Sequence, residues 1–245
     1  ETNIDKVRGL IGSASLCAVM KADAYGNGIA LLIPSIIAKR ITDVAFTAND
    51  EARVARKLGY RGPEILAAAL PERLGRVLDL GCGTGLMGVA IRERASLLEG
   101  WDISAAMLRQ AKAKKAYDSL SKQDLNSLQI GGQQWDTILA ADVLIYIGAL
   151  ERLVGWVAGS LAPGGVFAFT VEEHMGEGFV LGEARRYAHS EAYLRELLAQ
   201  AGFANVALTR ETLRTDRGQP VWALVASASV LVTKPGRAGE ETEFA

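Results

Sequence analysis

An acid and three glycines at alternate positions stand out in this chain: Asp79, Gly81, Gly83 and Gly85 in the stretch VLDLGCGTG, residues 77–85. Glycines spaced in this way let the backbone turn sharply off a strand and approach a ligand that a Cβ would obstruct. A helix beginning just after them offers unpaired N–H groups. The dinucleotide fingerprint G-x-G-x-x-G requires a glycine at position 86, which is leucine here, so a pyrophosphate is the weaker reading. A tight strand–helix turn with no ligand is the plainest alternative. A second acid, Asp102, follows 21 residues after Gly81, at the end of the next apolar stretch. An acid at that reach can accept hydrogen bonds from both hydroxyls of a ribose, although alone it would read as a strand-end cap. The two histidines, His174 and His189, and the two cysteines, Cys17 and Cys82, are too scattered to form a metal cluster or a disulfide framework.

These residues need elements to position them, and the apolar periodicity supplies candidates. LCAVM (16–20), DVAFT (43–47), GRVLDL (75–80), SLLEGWDI (96–103), WDTILAAD (135–142) and GGVFAFTVEE (164–173) read as strands. Helix-like stretches alternate with them: GIALLIPSIIAKR, interrupted by Pro34; NDEARVARKLG, capped by Asn49 and stopped by Gly59; GTGLMGVAIRERA; SAAMLRQAKAKKAY, capped by Ser104; IGALERLVGWVAGSLA; and SEAYLRELLAQAG, capped by Ser190. EILAA (64–68) is ambiguous. NVALTRETL and PVWALVASASVLV close the pattern as a strand pair. Strands alternating with helices predict an α/β fold. The specific expectation is a Rossmann-like, doubly wound, seven-stranded, mostly parallel sheet with an antiparallel edge, preceded by an N-terminal βα fragment.

Composition bounds the function. The 245 residues are 49% hydrophobic and carry 27 Lys+Arg against 28 Asp+Glu, a formal net charge of -1. That balance argues against a nucleic-acid coat. No apolar run reaches the roughly 18 residues of a membrane span, and ETNIDKVRGL lacks the basic and apolar regions of a signal peptide. A soluble, cytoplasmic protein is expected, with no nucleic-acid or membrane partner.

VLDLGCGTG, EGWDISAAML, the DL of KQDL, WDTILAADVLIYIG and LAPGGVFAFTVEE resemble the successive motifs of class I S-adenosylmethionine-dependent methyltransferases. GEGFVLGEARRYAHSEAYLRELLAQAGF and the RGQPV segment are similar to the bacterial members fused to tetratricopeptide repeats. The likeness covers about residues 70–229. It implies S-adenosylmethionine as cofactor, S-adenosylhomocysteine as product, and methyl transfer to an unidentified small-molecule or protein acceptor. It further implies that Gly81, Gly83 and Gly85 cradle the methionine and ribose, and that Asp79 orients the ammonium. Asp102 would hold the ribose, Ile103 would lie on the adenine face, Asp124 would meet the adenine amino group, and Asp142 would border the methyl group. Asp142, Tyr146, Glu173, His174, Tyr187 and His189 are candidates for a base or for acceptor contact. Asp142, His174 and His189 lead as catalytic candidates, whereas Tyr146, on an apolar run, reads as core. No metal is expected.

CAVMKADAYGNG (17–28), with IALLIPSIIA and VAFTANDEARVARKLGY, resembles a different family, the alanine and broad-specificity amino-acid racemases, over about residues 1–65. There Lys21 would match the lysine that carries pyridoxal phosphate, and Tyr25 a neighbouring tyrosine. A racemase needs a closed eight-stranded barrel, and 65 residues supply about two βα units. Pyridoxal phosphate is therefore not expected as a working cofactor. The expected organisation is a racemase-like fragment over 1–66, a methyltransferase domain over 67–230 and a flexible tail over 231–245, in the manner of a fusion or chimera. Two rival functions are a folded chimera that binds cofactor without turnover and a racemase acting through Lys21.

Overall fold

The computed structural model describes residues 17–20, 43–46, 60–129, 134–182, 185–216 and 218–231. Lys21, Tyr25, Pro34, Asn49, Gly59 and the sequence after residue 231 lie outside the described residues. The first two expected strands are present as β1 (Cys17–Met20) and β2 (Asp43–Phe46), which run parallel in a sheet of their own.

The remaining elements are α1 (Gly62–Ala68), β3 (Gly75–Leu80), α2 (Leu86–Ile91), β4 (Ala95–Asp102), α3 (Ala105–Ala113), β5 (Ser119–Lys122), β6 (Trp135–Ala140), α4 (Glu151–Ser160), β7 (Leu161–Glu173), β8 (Phe179–Leu181), β9 (Tyr187–His189), α5 (Glu191–Gln200), β10 (Phe203–Asp216) and β11 (Gln219–Val230). Seven strands lie in the order β10-β11-β7-β6-β3-β4-β5. From β5 to β7 all neighbours are parallel, while β11 is antiparallel to both β7 and β10. The chain winds outward from β3 to β5 and then crosses back to β6. That reversal leaves a crevice beyond the C-terminal ends of β3 and β6, where open α/β sheets bind ligands.

Alternation along β3 explains the layering. Leu78 and Leu80 join Ile138, Phe167, Phe169, Leu194 and Leu198 in one core cluster, and Val77 joins Leu66, Leu74, Ile91, Leu98 and Leu139 in another. Successive strand residues face opposite sides, so one short run feeds both layers. Each fully buried leucine or phenylalanine contributes roughly 1.5–3 kcal/mol. Trp101 at the end of β4 is accommodated in a three-tryptophan cluster, 5.6 Å from the Trp135 ring and 5.7 Å from that of Trp156. Ser104 and Ser190 cap α3 and α5 by accepting from Met107 N and Tyr193 N.

Three features differ from the expectation. The ambiguous EILAA is helical: Pro63 stands in the first turn of α1, where its missing N–H costs nothing. Ile65 and Leu66 enter the core beside Leu74 and Val77, and Arg61 N donates to Leu213 O at 3.0 Å, so the packed unit already includes residues before 67. The second is β5, a short polar strand at the sheet edge. The third is an added pair, with β9 parallel to the end of β7 and β8 antiparallel to β9.

Candidate functional site

A cleft of about 440 Å³ opens over the C-terminal ends of β3, β4 and β6, with Tyr60 and Pro63 of the α1 region along one wall. Asp79, Gly81, Gly83, Asp102, Ile103 and Asp142 all line it.

The glycine loop is built by short-range contacts. Cys82 N donates to Trp101 O at 2.9 Å, Gly85 N to Cys82 O at 2.8 Å, and Gly83 N to Asp102 Oδ2 at 2.9 Å. All three glycines have positive φ, but their uses differ. A Cβ on Gly81 would meet Val143 at 2.3 Å and one on Gly85 would meet the Tyr117 ring at 2.9 Å, so both are required by packing. A Cβ on Gly83 would have only Gly81 O, at 3.9 Å, within 4 Å. Of the three, Gly83 alone has its missing side chain directed at open space. Gly85 is not among the cleft-lining residues.

Asp79 is the next-to-last residue of β3 and is 1% exposed. The Tyr117 hydroxyl donates to its Oδ2 at 2.6 Å, and its buried Oδ1 has no hydrogen-bond partner. Burial pushes its carboxyl up to about 7; the Tyr117 hydrogen bond opposes that rise and the nearby Asp102 adds to it. Asp102 is held by two backbone donors, Gly83 N on Oδ2 and Ser104 N on Oδ1 at 2.7 Å, and so couples the loop to the start of α3. Ile103 is 60% exposed in the cleft, an apolar surface beside two acids.

On the side of β6 the lining comes from within residues 141–146, and Asp142 there is backed by charged residues from distant segments outside the lining. Asp142, just past β6, has a φ of 54°, a left-handed conformation unusual for a residue other than glycine. Its N–H donates to Thr170 Oγ1 at 2.8 Å. Arg214 of β10 approaches its carboxylate at 3.3 Å and also pairs with Glu172 of β7, which accepts from Arg186 Nε at 2.7 Å. Burial raises Asp142 to about 6, with Arg214 pulling the other way and Glu172 reinforcing the rise. Tyr146 lines the cleft mouth at 56% exposure, so the core reading of this residue is corrected: the apolar run carrying it is a short 3-10 turn over Leu144–Tyr146 whose first two residues are buried and whose third faces outward.

The other candidates lie elsewhere. Asp124 Oδ1 accepts from Asn126 N at 2.9 Å in a local turn outside the cleft lining. His189 is fully buried with Nε2 2.8 Å from Gly148 O, among Phe179 and Tyr193, and burial lowers its pKa. It anchors the loop after β6 rather than facing the cleft. His174, Glu173 and Tyr187 are likewise absent from the lining; Glu173 pairs with Arg210 at 2.6 Å. Among the described residues no group of three or more His, Cys, Asp or Glu could hold a metal, and no helix is long and apolar enough to cross a membrane.

Tyr117, Arg214, Glu172 and Arg186 were not singled out by sequence reasoning. Tyr117 had a signal: Gly85, Gly88 and Gly100, on three successive elements, all leave room for its ring. Arg214 had none, because a register shift between Thr212 and Arg214 breaks the strand's alternation, burying Leu213 and Arg214 together.

Comparison with known proteins agrees with this geometry. The "Methyltransferase domain" family matches residues 51–208, and the "Alanine racemase, N-terminal domain" family matches residues 1–84. A broad specificity amino-acid racemase of Pseudomonas putida is 52% identical over 65 residues, 26% of this chain and 16% of that protein. A malonyl-[acyl-carrier protein] O-methyltransferase of Enterobacter lignolyticus is 32% identical over 115 residues, 46% of each chain. The chain thus spans about a sixth of that racemase and less than half of that methyltransferase. The crystal structure of magnesium protoporphyrin IX methyltransferase from Synechocystis PCC 6803 with bound SAH is similar in fold, with a TM-score of 0.54 and 21% identity over 75% of this chain and 89% of that one. With more than half its length matched by one family model, this chain belongs to the methyltransferase domain family.

Proposed function

We propose that the chain is an S-adenosylmethionine-dependent methyltransferase, with the cofactor in the cleft over β3 and β4. The observation that carries this reading is the buried, unpartnered Oδ1 of Asp79 in a cleft that also holds the open face of Gly83. A buried acceptor without a partner is costly, and an ammonium group would relieve that cost. Gly83 leaves room for the methionine and ribose, Asp102 retains lone pairs for ribose hydroxyls, and exposed Ile103 offers an apolar surface for a flat base. These residues fit an S-adenosyl ligand; a pyrophosphate would instead meet two carboxylates.

When bound, the cofactor supplies an already activated methyl group on a sulfonium. The chain's part is to hold it, exclude water and set the line of approach, worth up to about 7–11 kcal/mol in well-oriented cases. Asp142, raised to about 6, is ionised at neutral pH and placed to accept a proton from an acceptor that carries one. His174 and His189 are not assigned that role. The acceptor is a small molecule or a protein group of unassigned chemistry, in a cytoplasmic setting without nucleic acid. The methyltransferase unit runs from about Tyr60, because α1 supplies core residues, to 230; the racemase-like segment precedes it.

The racemase match over residues 1–84 favours one second reading, a chain that binds cofactor without turnover because its N-terminal part derives from another family. Incubation with methyl-labelled S-adenosylmethionine and a panel of carboxylate, amine, thiol and peptide acceptors tests both. Label transfer that disappears in Asp102→Ala supports the enzyme. Saturable binding with no transfer to any acceptor supports the second reading. No binding at all by the folded chain overturns both.

A further inference from the structure

Beside the cleft, but not among its lining, a tyrosine fills a slot made by three glycines. A Cβ on Gly85 would reach Tyr117 Cε2 at 2.9 Å, one on Gly88 would reach Cζ at 2.3 Å, and one on Gly100 would reach Cε1 at 2.7 Å. The loop, α2 and β4 therefore each leave out a side chain around one ring. The hydroxyl at the end of that ring makes two hydrogen bonds. It donates to Asp79 Oδ2 at 2.6 Å and accepts from Gly88 N at 3.1 Å. The Gly88 N–H uses the acceptor side of the hydroxyl and leaves its proton to Asp79. An aspartate has two oxygens, and a fixed donor on one selects which of them is left for a ligand.

We propose that Tyr117 is a positioning residue for cofactor binding: it occupies Oδ2 of Asp79 so that Oδ1 is presented, ionised and fixed, to the cofactor's ammonium group. The inference rests on the reading of the cleft as an S-adenosyl site. Tyr117 touches no ligand and acts only through Asp79. The titratable groups facing Asp79 among the described residues are Tyr117, Asp102 and Cys82. Asp102 opposes ionisation of Asp79 by its like charge, and burial opposes it more strongly. Cys82 and Tyr117 are themselves pushed up by burial and by Asp79, so both are neutral across the working range. The Tyr117 hydrogen bond favours the ionised carboxylate.

The sign of the effect follows. Below about 7 Asp79 holds a proton that an ammonium ligand must expel, so affinity weakens as pH falls. Without the tyrosine hydroxyl, Asp79 ionises at a higher pH, and the acid limb of the affinity profile moves upward. Tyr117→Phe keeps the ring in its slot and deletes only the hydroxyl.

The test is calorimetric titration with S-adenosylhomocysteine, which carries the same ammonium group, from pH 6 to pH 9 on wild type and Tyr117→Phe, with a melting curve for each. A shift of one pH unit makes the variant about fivefold weaker at pH 7, where the wild-type carboxyl is half ionised, and nearly equal to wild type at pH 9. Should Tyr117→Phe lose its cooperative melt, Gly88→Ala replaces it, since its Cβ displaces the hydroxyl from outside the cleft. A loss of affinity that is equal at every pH, or no loss at all, overturns the proposal while leaving the S-adenosyl site in place. Failure of the wild type itself to bind would instead count against the site.

Discussion

The two walls of the cleft are built in opposite ways. The wall over β3 and β4 is local: Asp79, Gly83, Asp102 and Ile103 fall within 25 residues and are tied together by loop backbone bonds of 2.7–2.9 Å. The wall over β6 has non-local support: Asp142, which lines the cleft, is backed by Arg214, Glu172 and Arg186 from three other segments outside the lining, joined by side-chain ion pairs. The first wall suits a ligand whose shape does not vary. The second rests on side-chain ion pairs that hold β7 and β10 against the end of β6. The contrast predicts that damage to the first wall removes cofactor binding at little cost in stability, whereas damage to the second removes stability and spares binding.

The largest effect is expected at Gly83. Gly83→Val puts a branched side chain into the cleft and should abolish S-adenosylhomocysteine binding. The melting temperature should fall only by the cost of a left-handed non-glycine residue, about 1–2 kcal/mol. A variant that melts far lower, as Gly81→Val should because of Val143, would mean that Gly83 is also a packing glycine. On the other wall, Arg214→Ala leaves two carboxylates facing one another without their cation. Breaking a buried pair costs about 3–5 kcal/mol. The loss read from denaturant unfolding should be larger at pH 8 than at pH 5, where Asp142, raised to about 6, is protonated. Affinity for S-adenosylhomocysteine should stay within a few-fold.

Asp102→Ala sharpens the contrast further. It removes the ribose acceptor and the bonds to Gly83 N and Ser104 N, and should weaken binding by about 1.5–3 kcal/mol. An effect below about 0.5 kcal/mol would leave the acid as a cap only.

Legibility in the sequence follows the same division. The strand–loop–strand of residues 75–102 could be read directly, since glycine spacing, apolar alternation and a terminal acid are all short-range signals. The mostly parallel sheet and its antiparallel β10–β11 edge were expected from the alternation of elements and the closing strand pair. What could not be read depends on tertiary contact. β8 and β9 are three residues each and exist by pairing, β9 with the end of β7 and β8 with β9. EILAA becomes helical beside Leu74 and Val77. His189 looked like a site residue because histidine can do acid–base chemistry, but it is buried outside the cleft lining with Nε2 on Gly148 O. Gly81 and Gly85 meet a packing need that the motif does not reveal: their missing side chains make room for Val143 and Tyr117.

Smaller effects test the electrostatics. Asp79 is raised from 3.8 to about 7 in the fold, so its contribution to stability is fully present below pH 4 and lost as pH rises through 7. Asp79→Asn should therefore melt higher than wild type at pH 8, by roughly 2–4 °C per kcal/mol recovered, with the gap closing toward pH 5. It should also bind S-adenosylhomocysteine poorly, which would place a cost in stability at the residue serving the ligand. The smallest effect is expected at Asp124, whose carboxylate serves a local turn outside the cleft lining. Asp124→Ala should change affinity by less than about twofold, well under 1.4 kcal/mol; a tenfold loss would show that the adenine reaches this turn.

The most direct measurement is a calorimetric titration of the full chain with S-adenosylhomocysteine at pH 8, run beside Gly83→Val and Arg214→Ala. Saturable one-to-one binding by the wild type, lost in Gly83→Val and kept within a few-fold in Arg214→Ala, is the predicted result. A folded wild type that takes up no ligand, or a Gly83→Val variant that binds as tightly as wild type, would contradict it.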